Sequence, residues 1–345
     1  MQPLENSTLD AARAGSNEAF TTLVLAHEPL LRAHCYRMLG SRADADDALQ
    51  ETLVRAWRHL PSFEARASLR SWLLSIATRV CLDALASRKA RSIPSFARAE
   101  RGSNPHEPPA PPVLDPVWIE PCADAALFDG PIDERESPEA SMSRRESVAL
   151  AFVAALHWLP ATQRAALLLH DVVGWQASEV AEVLETSVPA VNSALQRARA
   201  TIDEQSRPKR ARSRDVTDPR AIATIERYVR AWESGDADAL AAALCEDATL
   251  SMPPVSTWFD GRADIVAFYE GFLLALGMRF RLVPAPSCNG ALTLAAYRLQ
   301  DGAWIADALH VIELDQDGTI ATVVVFMGEH AVRATGLARV LNAVE

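Results

Sequence analysis

The chain has 345 residues, 49% of them hydrophobic, and a formal net charge of −11. That length predicts two to three domains with their own cores. It contains no apolar run of about 18 residues, and its start, MQPLENSTLDAARAG, lacks the basic and apolar regions of a signal peptide, so a cytoplasmic protein without a membrane partner is expected. Cys35, Cys81, Cys122, Cys245 and Cys288 are scattered without a CxxC pair, and the eight histidines are equally dispersed. They read as reduced thiols and isolated imidazoles, with no metal site and no cofactor.

The first patterned block runs from Phe20 to Lys89. Gly40 can end one helix, Ser41 can cap the next, and Asp44, Asp46 and Asp47 sit at its positive amino end. A helix from about Ala43 to Arg58 places Ala45, Ala48, Leu49, Thr52, Leu53 and Ala56 inward, leaving Asp47, Gln50, Glu51 and Arg55 as an outer stripe. On residue type alone that stripe is a solvated charged face. HLPSFEARAS then reads as a loop with Phe63 and Arg66, and SLRSWLLSIATRVCLDAL as a helix carrying Arg70, Trp72 and Arg79, with Trp57 and Trp72 taken as core residues. Between Arg55 and Arg91 eight basic residues face two acids, so this stretch is locally basic.

Residues 96–140 reverse that balance, with ten acids against three arginines. Proline in PHEPPAPPVLDP resists helix formation, and the segment reads as an extended acidic linker. Within it, VWIEPCAD offers Trp118 and Pro121, which need burial somewhere or serve as an ordinary loop anchor. The segment WLPATQRAALLLHDVVGWQASEVAEVLETSVPAVNSALQRARATI, 158–202, reads as a helix followed by a helix-turn-helix. Val188, Val191, Leu195, Ala198 and Ile202 line the buried face of its last helix. Asn192, Ser193, Gln196, Arg197 and Arg199 lie on the other. Ser187 is a candidate N-cap, and Pro189 is tolerated in the first turn. A helical hairpin that only packs is the alternative. SRPKRARSRD, Ser206 to Asp215, either solvates a hinge or touches phosphates.

From Asp215 onward there are nine arginines, no lysine and eighteen acids, a poor surface for nucleic acid. A helical stretch from Ala221, a loop with WFDGR and the helix ADIVAFYEGFLLALG precede the extended segments MRFRLVPAPS, GALTLAAYRLQ, AWIADALHVIELDQDG and TIATVVVFMGE. Asp317-Gly318 marks a hairpin turn between the last two.

The run DADDALQETLVRAWR, the FEARASLRSWLLSIA segment and the helix-turn-helix together resemble regions two and four of the extracytoplasmic-function sigma factors of bacterial RNA polymerase. The resemblance implies a transcription initiation factor that binds core polymerase at its clamp and flap and directs it to promoter DNA. It assigns Asp47, Gln50, Glu51 and Arg55 to the clamp, and Asn192, Ser193, Gln196, Arg197 and Arg199 to the upstream promoter element. Phe63, Arg66, Arg70 and Arg79 fall to melting of the downstream element, where an extruded base needs a pocket and a displaced strand needs cations. The last third resembles the SnoaL-like and ketosteroid-isomerase-like cone, which encloses an apolar cavity. Tyr228, Met252, Trp258, Asp307 and His310 are its candidate cavity residues, while Tyr269, Phe272 and Met278 read as core before cavity. By that resemblance the two isomerase carboxylates fall on Met252 and near Leu309, so no catalytic residue and no enzyme is expected. The segment VWIEPCAD looks like the tryptophan-and-proline linker motif of sigma-factor groups with such an extension.

The expected fold is therefore multidomain: two all-α sigma domains, a region-two bundle at 1–95 and a region-four helix-turn-helix at 141–205, with an α+β cone at 217–345. A linker at 96–140 and a basic hinge at 206–216 join them. The cone is expected to regulate in cis, with a possible small-molecule ligand. Two alternatives stay open: a cone with working enzymatic activity, and a one-component repressor that never meets polymerase.

Overall fold

The computed structural model describes residues 3–64, 67–86, 102–113, 118–128, 149–205, 212–213 and 218–341, which divide between two compact units. The first unit contains residues 1–90, 124–148 and 152–204; the second contains 91–123, 149–151 and 205–345.

In the first unit, α1 (Pro3–Arg13) and α2 (Asn17–Leu25) lead into α3 (Glu28–Leu39), α4 (Arg42–His59) and α5 (Leu69–Ala86). The junction follows local chemistry. Gly40 ends α3 at a φ of 71°, a left-handed conformation that glycine adopts without steric cost, and Ser41 Oγ accepts the Asp44 N–H at 3.2 Å to start α4. Leu31, Met38, Leu49, Leu73 and Leu74 are fully buried where these helices meet, each contributing about 1.5–3 kcal/mol of transfer free energy. One polar pair lies among them: His34 Nε2 and Thr78 Oγ1 are 3.0 Å apart, and the threonine hydroxyl donates to the Leu74 carbonyl at 2.8 Å, so the histidine is the donor to it.

A short helix, α6 (Asp124–Phe128), packs on α3, in a stretch expected to be extended throughout. Then come α7 (Leu150–Leu156), α8 (Ala161–Leu167) with a π turn at Leu168–Val172, α9 (Ala177–Val183) and α10 (Val188–Gln205). Arg164 of α8 is 5% exposed. Its guanidinium donates to the carbonyls of Leu156 at 3.0 Å, of Leu159 at 3.3 Å and of Met38. Met38 lies in the last turn of α3, where unpaired carbonyls favour a cation; burial still pushes the guanidinium down to about 10.

The second unit is built on one sheet. Helices α11 (Pro219–Ser234) and α12 (Ala237–Ala243) precede β2 (Leu244–Ser251), because Gly235, at a φ of 75°, ends the first helix. The stretch expected as helix from Ala221 through Leu250 is thus two helices and a strand. The short β3 (Trp258–Asp260) occupies part of the expected WFDGR loop, and α13 (Arg262–Phe268) runs into a π turn at Tyr269–Leu274. β4 (Phe280–Pro284), β5 (Leu292–Gln300), β6 (Ala303–Asp315) and β7 (Ile320–Met327) complete the sheet in the order β3-β2-β7-β6-β5-β4. Only the β2–β7 pairing along this path is parallel. The 315–319 turn closes as expected, with the Thr319 carbonyl accepting from Asp315 N–H at 2.8 Å and Gly318 at a φ of 79°. Short strands β1 (Arg212–Ser213) and β8 (Val340–Leu341) pair with the ends of β6.

Linker residues belong to this second unit. The Ser103 N–H donates to the Trp258 carbonyl, and the Val113 N–H to the Pro254 carbonyl, both at 2.8 Å. The Ala110 N–H donates to Thr257 Oγ1 at the same distance. A Cβ on Gly102 would lie 3.2 Å from the Asp260 backbone nitrogen, so the approach is close. Further along, the Asn289 side chain and backbone bracket Cys122, accepting its N–H at 2.9 Å and donating to its carbonyl at 3.0 Å. Ala123 bridges Cys288. Trp118 and Pro121 are both buried, and the Trp118 indole N–H donates to the Val113 carbonyl at 2.7 Å. All five cysteines are buried free thiols.

Candidate functional site

The helix-turn-helix is shaped by its ends. Glu179 Oε2 accepts the Gln176 N–H at 2.7 Å where α9 begins. Glu185 turns the chain at a φ of 52° just after α9 ends at Val183. Ser187 Oγ accepts the Ala190 N–H at 3.4 Å and starts α10. The buried face of α10 consists of Val191, Ala194, Leu195 and Ala198. Val188, expected there, is 39% exposed: it lies in the first turn, before the packed part of the helix, and Ala194 takes its place. Asn192, Ser193, Gln196 and Arg197 are exposed side by side. Arg199 is exposed but committed, with Nη2 and Nε on the Asp171 carboxylate at 2.6 and 3.1 Å. Burial works to raise the Asp171 carboxyl, but its hydrogen bonds to Arg199 and His170 outweigh that and hold it below the ordinary range.

On the amino-terminal bundle, Asp47, Gln50 and Glu51 are exposed along α4. Arg55 is anchored among them, with Nε on Glu51 at 2.7 Å and Nη1 on Asp83 of α5 at 2.9 Å. The downstream candidates divide. Arg70 is exposed at the start of α5, while Arg66 lies outside the described residues. Phe63 does not present a face for a base. It is 8% exposed, packs on Trp72 with ring centroids 4.8 Å apart, and joins Leu9, Ala12 and Leu60 in a small core. The expected loop contact is corrected because α1, which the sequence pattern did not bring to this loop, covers the ring; Arg13 also donates to the Phe63 carbonyl. Arg79 is exposed yet paired with Glu185 in the turn of the helix-turn-helix at 3.1 Å, with its Nε 3.5 Å from the Val183 carbonyl.

Inside the second unit the sheet and helices α11, α12 and α13 enclose a cavity of about 190 Å³. Its wall is largely hydrocarbon, and Tyr228, Met252, Asp307 and His310 line it as expected. Trp258 does not: it is buried outside the cavity wall, with its backbone paired to Ser103. Tyr269, Phe272 and Met278, read as core, do line it. Leu309 is fully buried but absent from the wall, because strand alternation sends it to the sheet face opposite His310. The β5–β6 register shifts between Ala296↔Ala308 and Tyr297↔Ala306, leaving Asp307 as the extra residue of a bulge. A bulge re-aims a side chain, and here Asp307 and Ala308 both reach the cavity. No helical or strand period carries that signal.

Four polar side chains of the wall form two pairs. The Tyr228 hydroxyl and His310 Nδ1 lie 2.9 Å apart, and Arg298 Nε donates to Asp307 Oδ1 at 2.8 Å. Burial pushes the Tyr228 phenol well above its ordinary value and the His310 imidazole down to about 3, so the ring is neutral at neutral pH. Among the described residues no group of three or more His, Cys, Asp and Glu could hold a metal, and no helix is long and apolar enough to cross a membrane.

A helical bundle with a helix-turn-helix in one unit and a cavity-bearing sheet in the other define a multidomain protein with a DNA-binding motif, and the comparisons give its class. Residues 23–91 match the model of Sigma-70 region 2, residues 149–202 that of Sigma-70 region 4, and residues 225–323 that of the SnoaL-like domain. The chain is 38% identical over 301 residues to the ECF RNA polymerase sigma factor SigG of Mycobacterium tuberculosis (strain ATCC 25618 / H37Rv), covering 86% of this chain and 78% of that protein. It belongs to the extracytoplasmic-function sigma factors of RNA polymerase. The RNA polymerase sigma-H factor of Pseudomonas aeruginosa is 27% identical over 209 residues, covering 60% of this chain and 96% of the relative. In fold, the chain is similar to the crystal structure of the Mycobacterium tuberculosis extracytoplasmic function sigma factor SigJ, with a TM-score of 0.57 at 22% identity over 92% of this chain and all of that one. The chain is thus an RNA polymerase sigma factor with a fused SnoaL-like domain. Core polymerase and promoter DNA are the partners of that function, and the match to region 2 removes the one-component repressor.

Proposed function

We propose that the fused cone regulates the sigma modules in cis, from the cytoplasm, and turns over no substrate of its own. The observation that carries this reading is the docked linker: segments 102–113 and 118–123, which connect region two to region four in sequence, are hydrogen-bonded to the cone. A domain that holds the connection between two DNA-binding modules sets how far they can separate. About 1.4 kcal/mol of docking free energy changes the free population tenfold. Trp118 and Pro121 are the anchoring residues. The absence of chemistry is supported by the cavity, since neither the raised Tyr228 phenol nor the His310 imidazole at about 3 exchanges protons near neutral pH. In this reading Asp47, Gln50, Glu51 and Arg55 grip the clamp, and Asn192, Ser193, Gln196 and Arg197 face the upstream element, with Arg199 buttressing the helix. Arg66, Arg70 and Arg79 serve the opened strand.

The test is transcription with core polymerase by the full chain, by a chain lacking residues 217–345, and by Trp118→Ala. The deletion is expected to change promoter output about tenfold, and Trp118→Ala to move it part of the way in the same direction. Equal output from all three removes the regulatory reading. Turnover of a small substrate that disappears in Tyr228→Phe or Asp307→Asn would put an enzyme in its place.

A further inference from the structure

Two thiols meet beneath the helix that region four lays on region two. Cys35 of α3 and Cys81 of α5 are both fully buried. A neighbouring pair fixes their alignment: His34 Nε2 and Thr78 Oγ1 are 3.0 Å apart, with Cys35 directly after the histidine and Cys81 one turn after the threonine. The Cys81 thiol donates to the Cys35 sulfur, and this bond together with burial pushes Cys81 well above the ordinary thiol range. Cys81 therefore carries the shared proton and Cys35 accepts it. Neither residue belongs to the polymerase or promoter surfaces described above.

Helix α8 packs on both α3 and α5, and its Arg164 stands over the pair. The guanidinium reaches the carbonyl of Met38, within one turn of Cys35 on α3, and its charge acts on Cys81. An oxidant bound for the thiols has to pass α8. Burial among apolar side chains keeps a thiol inert, so the closed helical unit protects the pair. Separation of region four from region two removes that cover.

We propose that Cys35 and Cys81 are a peroxide-sensitive pair, sealed by α8 while region four rests on region two and joined as a disulfide once α8 lifts. One hydrogen peroxide balances the reaction. The Cys35 sulfur attacks a peroxide oxygen, the O–O bond breaks, and the departing hydroxide takes the Cys35 proton as water, leaving a sulfenic acid. The Cys81 sulfur then attacks the Cys35 sulfur, the S–O bond breaks, and the Cys81 proton leaves with that hydroxyl as a second water. The two thiols lose two electrons and the peroxide gains them. A disulfide draws its sulfurs to bonding distance, whereas the seat under α8 fits two thiols in hydrogen-bond contact, so the oxidised bundle favours the lifted form. This modification stands independently of the cone's role.

The experiment treats the full chain with hydrogen peroxide, alkylates the remaining thiols in denaturant with iodoacetamide, and maps the products by mass spectrometry. The expected main product carries a Cys35–Cys81 cross-link, with Cys122, Cys245 and Cys288 alkylated. Cys81→Ser should stop at a Cys35 sulfenic acid, which dimedone traps, and Cys35→Ser should give neither product. Arg164→Leu should form the cross-link about tenfold faster than the parent. Because that variant also loses stability, Glu185→Ala, which frees Arg79 from the helix-turn-helix and leaves the buried groups in place, is the second test; it should speed the cross-link by up to about fivefold with an unchanged helical signal. Amide exchange in α8 should be severalfold faster in the oxidised chain than in the reduced one. Oxidation that falls on other cysteines, or that ends in unpaired sulfinic acids, overturns the pair. Equal rates in the parent and Glu185→Ala overturn the seal, whatever Arg164→Leu does. Exchange in α8 that is the same in both redox states overturns the link between disulfide and lifting.

Discussion

The two regions proposed to face the upstream and downstream promoter elements treat their polar side chains in opposite ways. Along α10, Asn192, Ser193, Gln196 and Arg197 stand exposed, and the one tied cation, Arg199, is held from within the same module by Asp171. In region two, Phe63 is covered by α1, and Arg79 is held by Glu185 of the other module. In the roles proposed for them, α10 is presented ready for a duplex, whereas the proposed melting element is partly occupied by its own chain. A surface that reads intact DNA needs no rearrangement, while one that receives a single strand must first be released.

The largest test of this contrast is Arg164, the buried cation that joins the two modules. Arg164→Leu leaves the Leu156, Leu159 and Met38 carbonyls without their donor, at a cost of about 1–3 kcal/mol for a buried unsatisfied group. Part of this is offset by removing a desolvated charge, so a net loss of about 3 kcal/mol is expected in urea denaturation followed by helical signal. A loss below about 1 kcal/mol would mean that the modules are held together elsewhere.

Acid separates the two folding units instead of the two modules. His34 in region two and His310 in the cone are each held down to about 3 by burial, with Arg37 adding to the effect at His34. Above pH 6.5 each ring is neutral folded or unfolded, and pH has no effect through it. Below that, the unfolded chain takes up a proton that the folded one refuses until about pH 3, so stability falls as pH falls through this window. The expected slope is about 1.4 kcal/mol per pH unit for each ring. His34→Gln should flatten the response of the helical unit and His310→Gln that of the cone, read by amide exchange in each. A slope that survives both substitutions would assign the acid sensitivity to other groups.

How much of this was legible depended on how far apart the cooperating residues lie in sequence. Gly40, Ser41, Ser187 and Asp317-Gly318 act on neighbours within a few positions, so their caps and turns could be read directly. The exposed face of α10 follows from helical period alone. Phe63 could not be placed, because the helix that buries it lies some fifty residues earlier and carries no marker of that contact. Asp307 is a cavity candidate by its place close to His310, but the register shift by which it reaches the wall is not written in a strand's period of two. Arg164 was missed for a similar reason: an arginine in a helix reads as exposed until the carbonyls that surround it are known. It directly precedes the apolar run Ala165 to Leu169, and that is the one trace it leaves in the sequence.

On α10 itself, Gln196→Ala and Arg197→Ala should separate reading from holding. If Gln196 meets a base edge, its loss costs about 1–3 kcal/mol on the cognate promoter and relaxes preference at one position. If Arg197 meets phosphate, its loss weakens all sequences alike and lowers the salt dependence by about one counterion. Footprints and affinities unchanged in both variants would move promoter reading away from this face.

The smallest expected effect concerns the contact that defines the contrast. The Arg79–Glu185 pair is 52% and 77% exposed at its two side chains, so solvent screens it and it is worth at most about 1 kcal/mol. Glu185→Ala should therefore free Arg79 without unfolding the turn, because alanine removes the charge and keeps the backbone chain. Alanine keeps the Cβ that glutamate already carries at this positive φ of 52°, and Glu185→Gly, which adopts the conformation without that Cβ, is the control. Both variants should raise permanganate reactivity of downstream promoter thymines by up to about fivefold at equal closed-complex occupancy, the factor that 1 kcal/mol allows. A rise that also appears in Arg79→Ala would show that the opened strand gains nothing from this cation, and the downstream role would then rest on Arg70 alone among the described candidates.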